Sequence, residues 1–225
     1  MKDHGHHHMK NLTGNEVSVE AKYEFGKISI ELKDQHQQAP ELEVSHEKEF
    51  HLILVNEDLT EYRHLHPFKK GEGRFEHPVQ LEAGAYKLFV DIQPKGLAYQ
   101  VKPVHLKVGR QPSSSIESSL KVDERLTKTI EGHTVELSID SLKAHVPTVF
   151  SYDTKESNPE PYLGALGHVV ILDEAGEQFI HVHPSSHDTT EFETVFHKPG
   201  LYKVWAEFQF HGTVHTYPFV IRVSD

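Results

Sequence analysis

The chain contains no cysteine. No disulfide can staple it, and no thiolate can serve as a nucleophile, a blue-copper ligand or an iron–sulfur ligand. Methionine occurs only as Met1 and Met9, which argues against a thioether-lined copper(I) site. No apolar run approaches the roughly 20 residues of a membrane helix, and the N-terminus lacks the apolar core of a signal peptide. Neither membrane insertion nor a leader is therefore expected from the sequence as it stands. Basic residues are also short, 23 Lys and Arg against 34 Asp and Glu, for a formal charge of −11; phosphate backbones and anionic membrane surfaces would be repelled, so nucleic acid is not an expected partner. There is no Gly-x-Ser-x-Gly elbow and no glycine-rich phosphate loop. An enzyme is not expected: a histidine site that hydrolyses or cycles copper needs an open coordination position, and no acid–base partner repeats convincingly beside the histidines.

What the chain has in excess is histidine, 20 of them, and six of these recur in a pattern. His51 is followed after 12 residues by His64-Leu65-His66-Pro67, and His168 after the same 12 by His181-Val182-His183-Pro184. Apolar runs follow the first histidine in both copies, Leu52 to Val55 and Val169 to Leu172. Downstream, after a single-residue gap, the stretch from Gly84 to Gln93 matches that from Gly200 to Gln209 without a break. A period of roughly 115 residues far exceeds a solenoid repeat and indicates two whole domains. The expected organisation is a histidine-rich tail at 1–14, a first repeat at 15–109, a linker at 110–118 around Pro112-Ser113-Ser114-Ser115, and a second repeat at 119–225. The tail, with His4, His6, His7 and His8, binds metal whether it is native or a purification tag.

Ile28, Ile30 and Leu32 alternate with Lys27, Ser29, Glu31 and Lys33, the pattern of a half-buried strand. Comparable short runs broken by Gly, Pro, Asn and Asp turns give about seven strands per repeat, and no 3.6-residue apolar stripe is present. The expected fold is all-β: two tandem antiparallel sandwiches of immunoglobulin or fibronectin type, products of an internal duplication. The aromatic pairs Tyr86 and Phe89, and Tyr202 and Trp205, read as core. The second repeat carries an insertion, Lys155 to Gly167, and extra histidines at 187, 197, 211 and 215 that read mostly as surface residues.

Alternate strand residues share a face, so His64 pairs with His66 and His181 with His183. His51 and His168 open the strand just upstream, where a hairpin can bring each beside its pair. Three imidazoles plus a carboxylate or water suit zinc(II), copper(II) or nickel(II). The candidate metal ligands are therefore His168, His181, His183, His51, His64 and His66; if only one repeat binds tightly, the second, richer in histidine, is the one expected to. Asp91 and Glu207, with Gln93 and Gln209, also repeat and can orient an imidazole from behind or simply pair at the surface. The rival interpretation makes the histidines packing residues of an interaction module that presents loops to a protein or cell-envelope partner.

The stretches His51 to Val55, His64 to Pro67, Tyr162 to His168, His181 to Pro184, Pro199 to Trp205 and Pro218 to Val220 resemble a group of uncharacterised, often secreted or lipid-anchored proteins of bacilli and other bacteria. That group carries Ig-like domains and lies near copper-handling systems. The resemblance implies a tandem β-sandwich, an extracytoplasmic location and a role in binding or buffering copper. Together with the residues it yields one expectation: non-enzymatic binding of a divalent transition metal, copper(II) first and zinc(II) second, for sequestration or delivery.

Overall fold

A computed structural model describes residues 14–45, 47–109, 120–182, 184 and 186–225. His183, the expected linker and all of the expected tail but Gly14 lie outside the described residues. Among those described there is no helix. The first repeat contains β1 (Val17–Glu24), β2 (Lys27–Asp34), β3 (Leu42–Glu43), β4 (His51–Asn56), β5 (Tyr62–Leu65), β6 (Phe68–Gly71), β7 (Arg74–Pro78), β8 (Gly84–Asp91), β9 (Gln93–Pro94) and β10 (Pro103–Val108). The second contains β11 (Thr127–Ile130), β12 (His133–Ile139), β13 (Pro147–Asp153), β14 (His168–Asp173), β15 (Phe179–Val182), β16 (Glu191–Val195), β17 (Gly200–Phe210) and β18 (Thr213–Val223).

Each repeat is a sandwich of two antiparallel sheets. In the first, β1-β2-β7-β6 faces β10-β8-β4-β5; in the second, β11-β12-β13-β16 faces β15-β14-β17-β18. The sheets with β4 and β14 at their centres have the same strand order in both copies. The copies differ at the edges of the other sheet, where β6 closes the first repeat and β11 the second. Leu52, Leu54, Leu88 and Val90 meet Ile28, Ile30 and Leu32 inside the first sandwich. Val169, Ile171, Val204 and Phe208 meet Val135, Leu137, Phe150 and Phe192 inside the second.

Alternation along a strand leaves the other face of these central sheets to be accounted for. It is not solvated. Ile53, Val55, Leu59 and Phe89 of the first repeat form a third buried cluster with Val170, Leu172 and Trp205 of the second. Both faces of β4 and β14 are thus covered, which explains why each opens as an unbroken apolar run, Leu52 to Val55 and Val169 to Leu172, rather than an alternating one. Phe89 and Trp205 are buried as expected, at 0% and 2% exposure, but against the other repeat rather than in their own sandwich. Tyr62 stacks on Trp205 with ring centroids 4.8 Å apart, and the corresponding Phe179 stacks on Phe89 at 5.1 Å. The contacts are reciprocal, as at the isologous interface of a two-fold dimer.

Candidate metal centre between the repeats

The histidines open the strands of this docking face. His51 is on the same face of β4 as Ile53 and Val55, and His64 lies directly across from Ile53 on β5; the second repeat places His168 and His181 in the same way around Val170. Docking therefore gathers histidines of both repeats at one end of the interface. His51 and His181 have ring centroids 6.0 Å apart, and His64 lies 6.1 Å from His168.

Within the first repeat the gathering is tight. His51 Nδ1 lies 3.1 Å from His64 Nε2 and 3.2 Å from His66 Nε2, and one ligand atom from each of the three falls within 4.8 Å of the others. Cis imidazole nitrogens around a tetrahedral zinc ion, with bonds of 2.0–2.1 Å, stand about 3.3 Å apart. Two of the three rings are anchored at the far nitrogen. His51 Nε2 donates to the Ser45 carbonyl at 2.9 Å, which in the neutral ring leaves Nδ1 as the lone pair. His64 Nδ1 sits 2.7 Å from Glu207 Oε2, a carboxylate of the second repeat, with side-chain exposures of 1% and 5%. A carboxylate behind a ligating imidazole fixes its tautomer and raises its basicity.

Electrostatics keep these rings ready to ligate. Burial, opposed by the Ser45 carbonyl, holds the His51 pKa down to about 4. Burial first, then the neighbouring imidazoles His64 and His51, hold His66 down to about 3. Both are neutral at pH 7 and offer lone pairs. The Tyr62 phenol above the site is pushed up, by burial and then by the charge of Glu207. Without a cation, the short nitrogen–nitrogen contacts require His64 or His66 to donate a proton from the very nitrogen that would ligate. A cleft of about 840 Å³, lined in part by Lys48, Glu49, His51, Asp91, Gln178 and His181, runs in between the repeats, and a second of about 620 Å³ reaches His64 and His66.

The second repeat reproduces the anchors. His168 Nε2 bonds the Tyr162 carbonyl at 2.8 Å, and His181 Nδ1 bonds Asp91 Oδ2 at 2.5 Å. Tyr162, within the insertion, thus stands where Ser45 stands in the first copy, six residues before the first histidine, and Asp91 reciprocates Glu207. The His168 and His181 rings are wider apart, 6.3 Å between centroids against 5.3 Å for His51 and His64. Among the described residues the closed set is His51, His64 and His66; the expected set of the second repeat includes His183, which lies outside the described residues. Of the extra histidines, His187, His197 and His211 are exposed as expected. His215 is buried instead, its ring 5.1 Å from that of His133 and 5.8 Å from that of Phe210. The sequence repeats Asp91 and Glu207, but nothing in it shows that each serves the other repeat's histidine.

Fold and site together define a class: a tandem β-sandwich whose repeats dock face to face around a shared histidine cluster. A family profile described as Domain of unknown function (DUF8832) matches residues 8–109 and again 128–225, and the chain belongs to that family. No curated protein matches the chain. Solved structures to which it is similar include the FN1-FN3 domains of chicken CNTN1 (12% identity, 92% of this chain and 66% of that one, TM-score 0.25). Others are a segment of two fibronectin type-III domains from chicken tenascin (10% identity, 93% and 98%, TM-score 0.29) and the Escherichia coli adhesin FdeC (15% identity, 96% and 66%, TM-score 0.28). This chain spans just under two thirds of the CNTN1 segment.

Proposed function

We propose that the chain binds a divalent transition metal through His51, His64 and His66, copper(II) in first place and zinc(II) in second, and acts in sequestration or delivery rather than in turnover. The observation that carries this reading is the convergence of three imidazole nitrogens, two of them 3.1 and 3.2 Å from the third, on rings whose far nitrogens are anchored at His51 and His64. Copper(II) precedes zinc(II) because imidazole sites follow the general affinity order of divalent metals. His168 and His181, matched in the second repeat by the same anchors, are the counterpart set. The extracytoplasmic setting implied by the resemblance belongs to the same proposal.

The test is titration of the full chain in which His4, His6, His7 and His8 are replaced by alanine, so that the tail cannot compete. His66→Ala is the informative variant, since His66 has none of the anchoring contacts that hold His51. One tight equivalent in the parent, weakened at least tenfold by His66→Ala with the fold retained, is the expected result. Equal binding by both proteins would remove the site from these residues.

The second reading treats the histidines as structural within a protein- or envelope-binding module. Its support is the pair of His–carboxylate contacts across the repeats, one buried and one half-buried, which bridge the interface with or without a cation. A partner retained after chelation, with no tight metal equivalent in the titration, would favour it.

A further inference from the structure

His64 belongs to the first repeat, and the carboxylate that fixes its ring belongs to the second. Glu207 lies on β17, 2.7 Å from His64 Nδ1 and 4% exposed. Within its own repeat its cross-strand neighbour is His168. Asp91 shows the same division of labour in reverse, lying across from His51 on β8 while bonding His181. Each repeat thus supplies imidazoles for its own cluster and a carboxylate for the other's.

We propose that Glu207 is the positioning residue of the metal centre and that, through it, metal binding and docking of the two repeats are one linked equilibrium. This rests on the reading of His51, His64 and His66 as ligands. If the repeats part, His64 loses the acceptor at Nδ1, and its ring is free to exchange tautomers and turn. The cation then meets an unoriented ligand. Linkage makes the effect mutual: whatever docking contributes to metal affinity, metal contributes to docking.

Docking has an independent hold that permits a clean test. Lys87, buried at 8% exposure, reaches from β8 into the second repeat, where its Nζ donates to the Ala175 carbonyl at 2.5 Å and to Glu177 Oε1 at 2.7 Å. Lys87 stands four residues from Asp91, about 13 Å along an extended strand, and its cross-strand neighbours are Val55 and His105, so a change there is remote from His51, His64 and His66.

Zinc affinity and backbone hydrogen exchange are measured on the full chain with the four tail histidines replaced by alanine, and on Glu207→Gln, Glu207→Asp and Lys87→Met made in it. Glu207→Gln is expected to weaken zinc about 10- to 100-fold, the usual loss when a carboxylate behind a metal-bound histidine is removed. Glu207→Asp recovers most of that loss, since Asp91 makes the reciprocal contact with the shorter side chain. Lys87→Met weakens zinc several-fold, and saturating zinc slows exchange in β14 and β17 of the parent but not of Glu207→Gln. If the parent binds zinc tightly while Glu207→Gln matches it, the positioning role is overturned and the metal site stands. If Glu207→Gln is weakened but Lys87→Met and the exchange of β14 and β17 are unmoved, Glu207 positions His64 and the linkage to docking is overturned. If the parent binds no zinc, both this inference and the reading beneath it fall.

Discussion

His51 is engaged at both ring nitrogens, with the Ser45 carbonyl on one side and two imidazoles on the other, and it is 2% exposed. Its titration therefore has a readable consequence for stability. In the unfolded chain the ring takes up a proton near pH 6.5, whereas in the folded chain burial delays this to about pH 4. Below 6.5 the unfolded state binds more protons, so stability falls as the pH drops from 6.5 towards 4. For His51 the loss amounts to about 3 kcal/mol, and His66, held to about 3, extends the decline to lower pH. The urea midpoint of the metal-free protein should therefore drop between pH 7 and 4.5, and His51→Gln should flatten that dependence. Equal slopes for the two proteins would show that His51 is not held neutral by its surroundings.

At the scale of elements, β4 and β14 do two jobs at once. One face of each completes its own sandwich and the other docks on the opposite repeat, and each buried Val, Leu or Ile contributes about 1.5–3 kcal/mol. Gly167, immediately before β14, shows how closely that strand is fitted. A Cβ there would come within 2.5 Å of the Phe208 ring and 2.9 Å of the Glu207 carbonyl. Gly167→Ala should therefore destabilise by about 1–3 kcal/mol, the range for forced overpacking, which a shift in urea midpoint would register; an unchanged midpoint would mean that β14 and β17 yield there freely.

Elements also show what could be read in advance. The duplicated histidines, the sandwich class and most strands were legible because alternation and turn residues are local properties. β1 is faint in the sequence although Val17, Val19, Ala21 and Tyr23 alternate along it, because it lies at a sheet edge, where only Val17 is fully buried. The short β6 and β11 are likewise edge strands. The docking face was illegible for a different reason. A continuous apolar run announces a strand covered on both sides, but not what covers it. For the same reason Asp91 and Glu207 could be recognised as repeated but not as exchanged between the repeats.

On the scale of the whole molecule, duplication has produced within one chain what a two-fold dimer would produce from two: reciprocal stacking of Tyr62 on Trp205 and Phe179 on Phe89, and reciprocal carboxylates on His64 and His181. Among the described residues, the closed set of nitrogens at the centre of this arrangement belongs to the first repeat. X-ray absorption of the zinc-loaded protein, with the four tail histidines replaced by alanine, tests the central claim most directly. Three imidazole nitrogens at about 2.0–2.1 Å, reduced to two in His66→Ala, is the expected result. A shell of oxygen atoms, or a histidine count indifferent to His66→Ala, would contradict it.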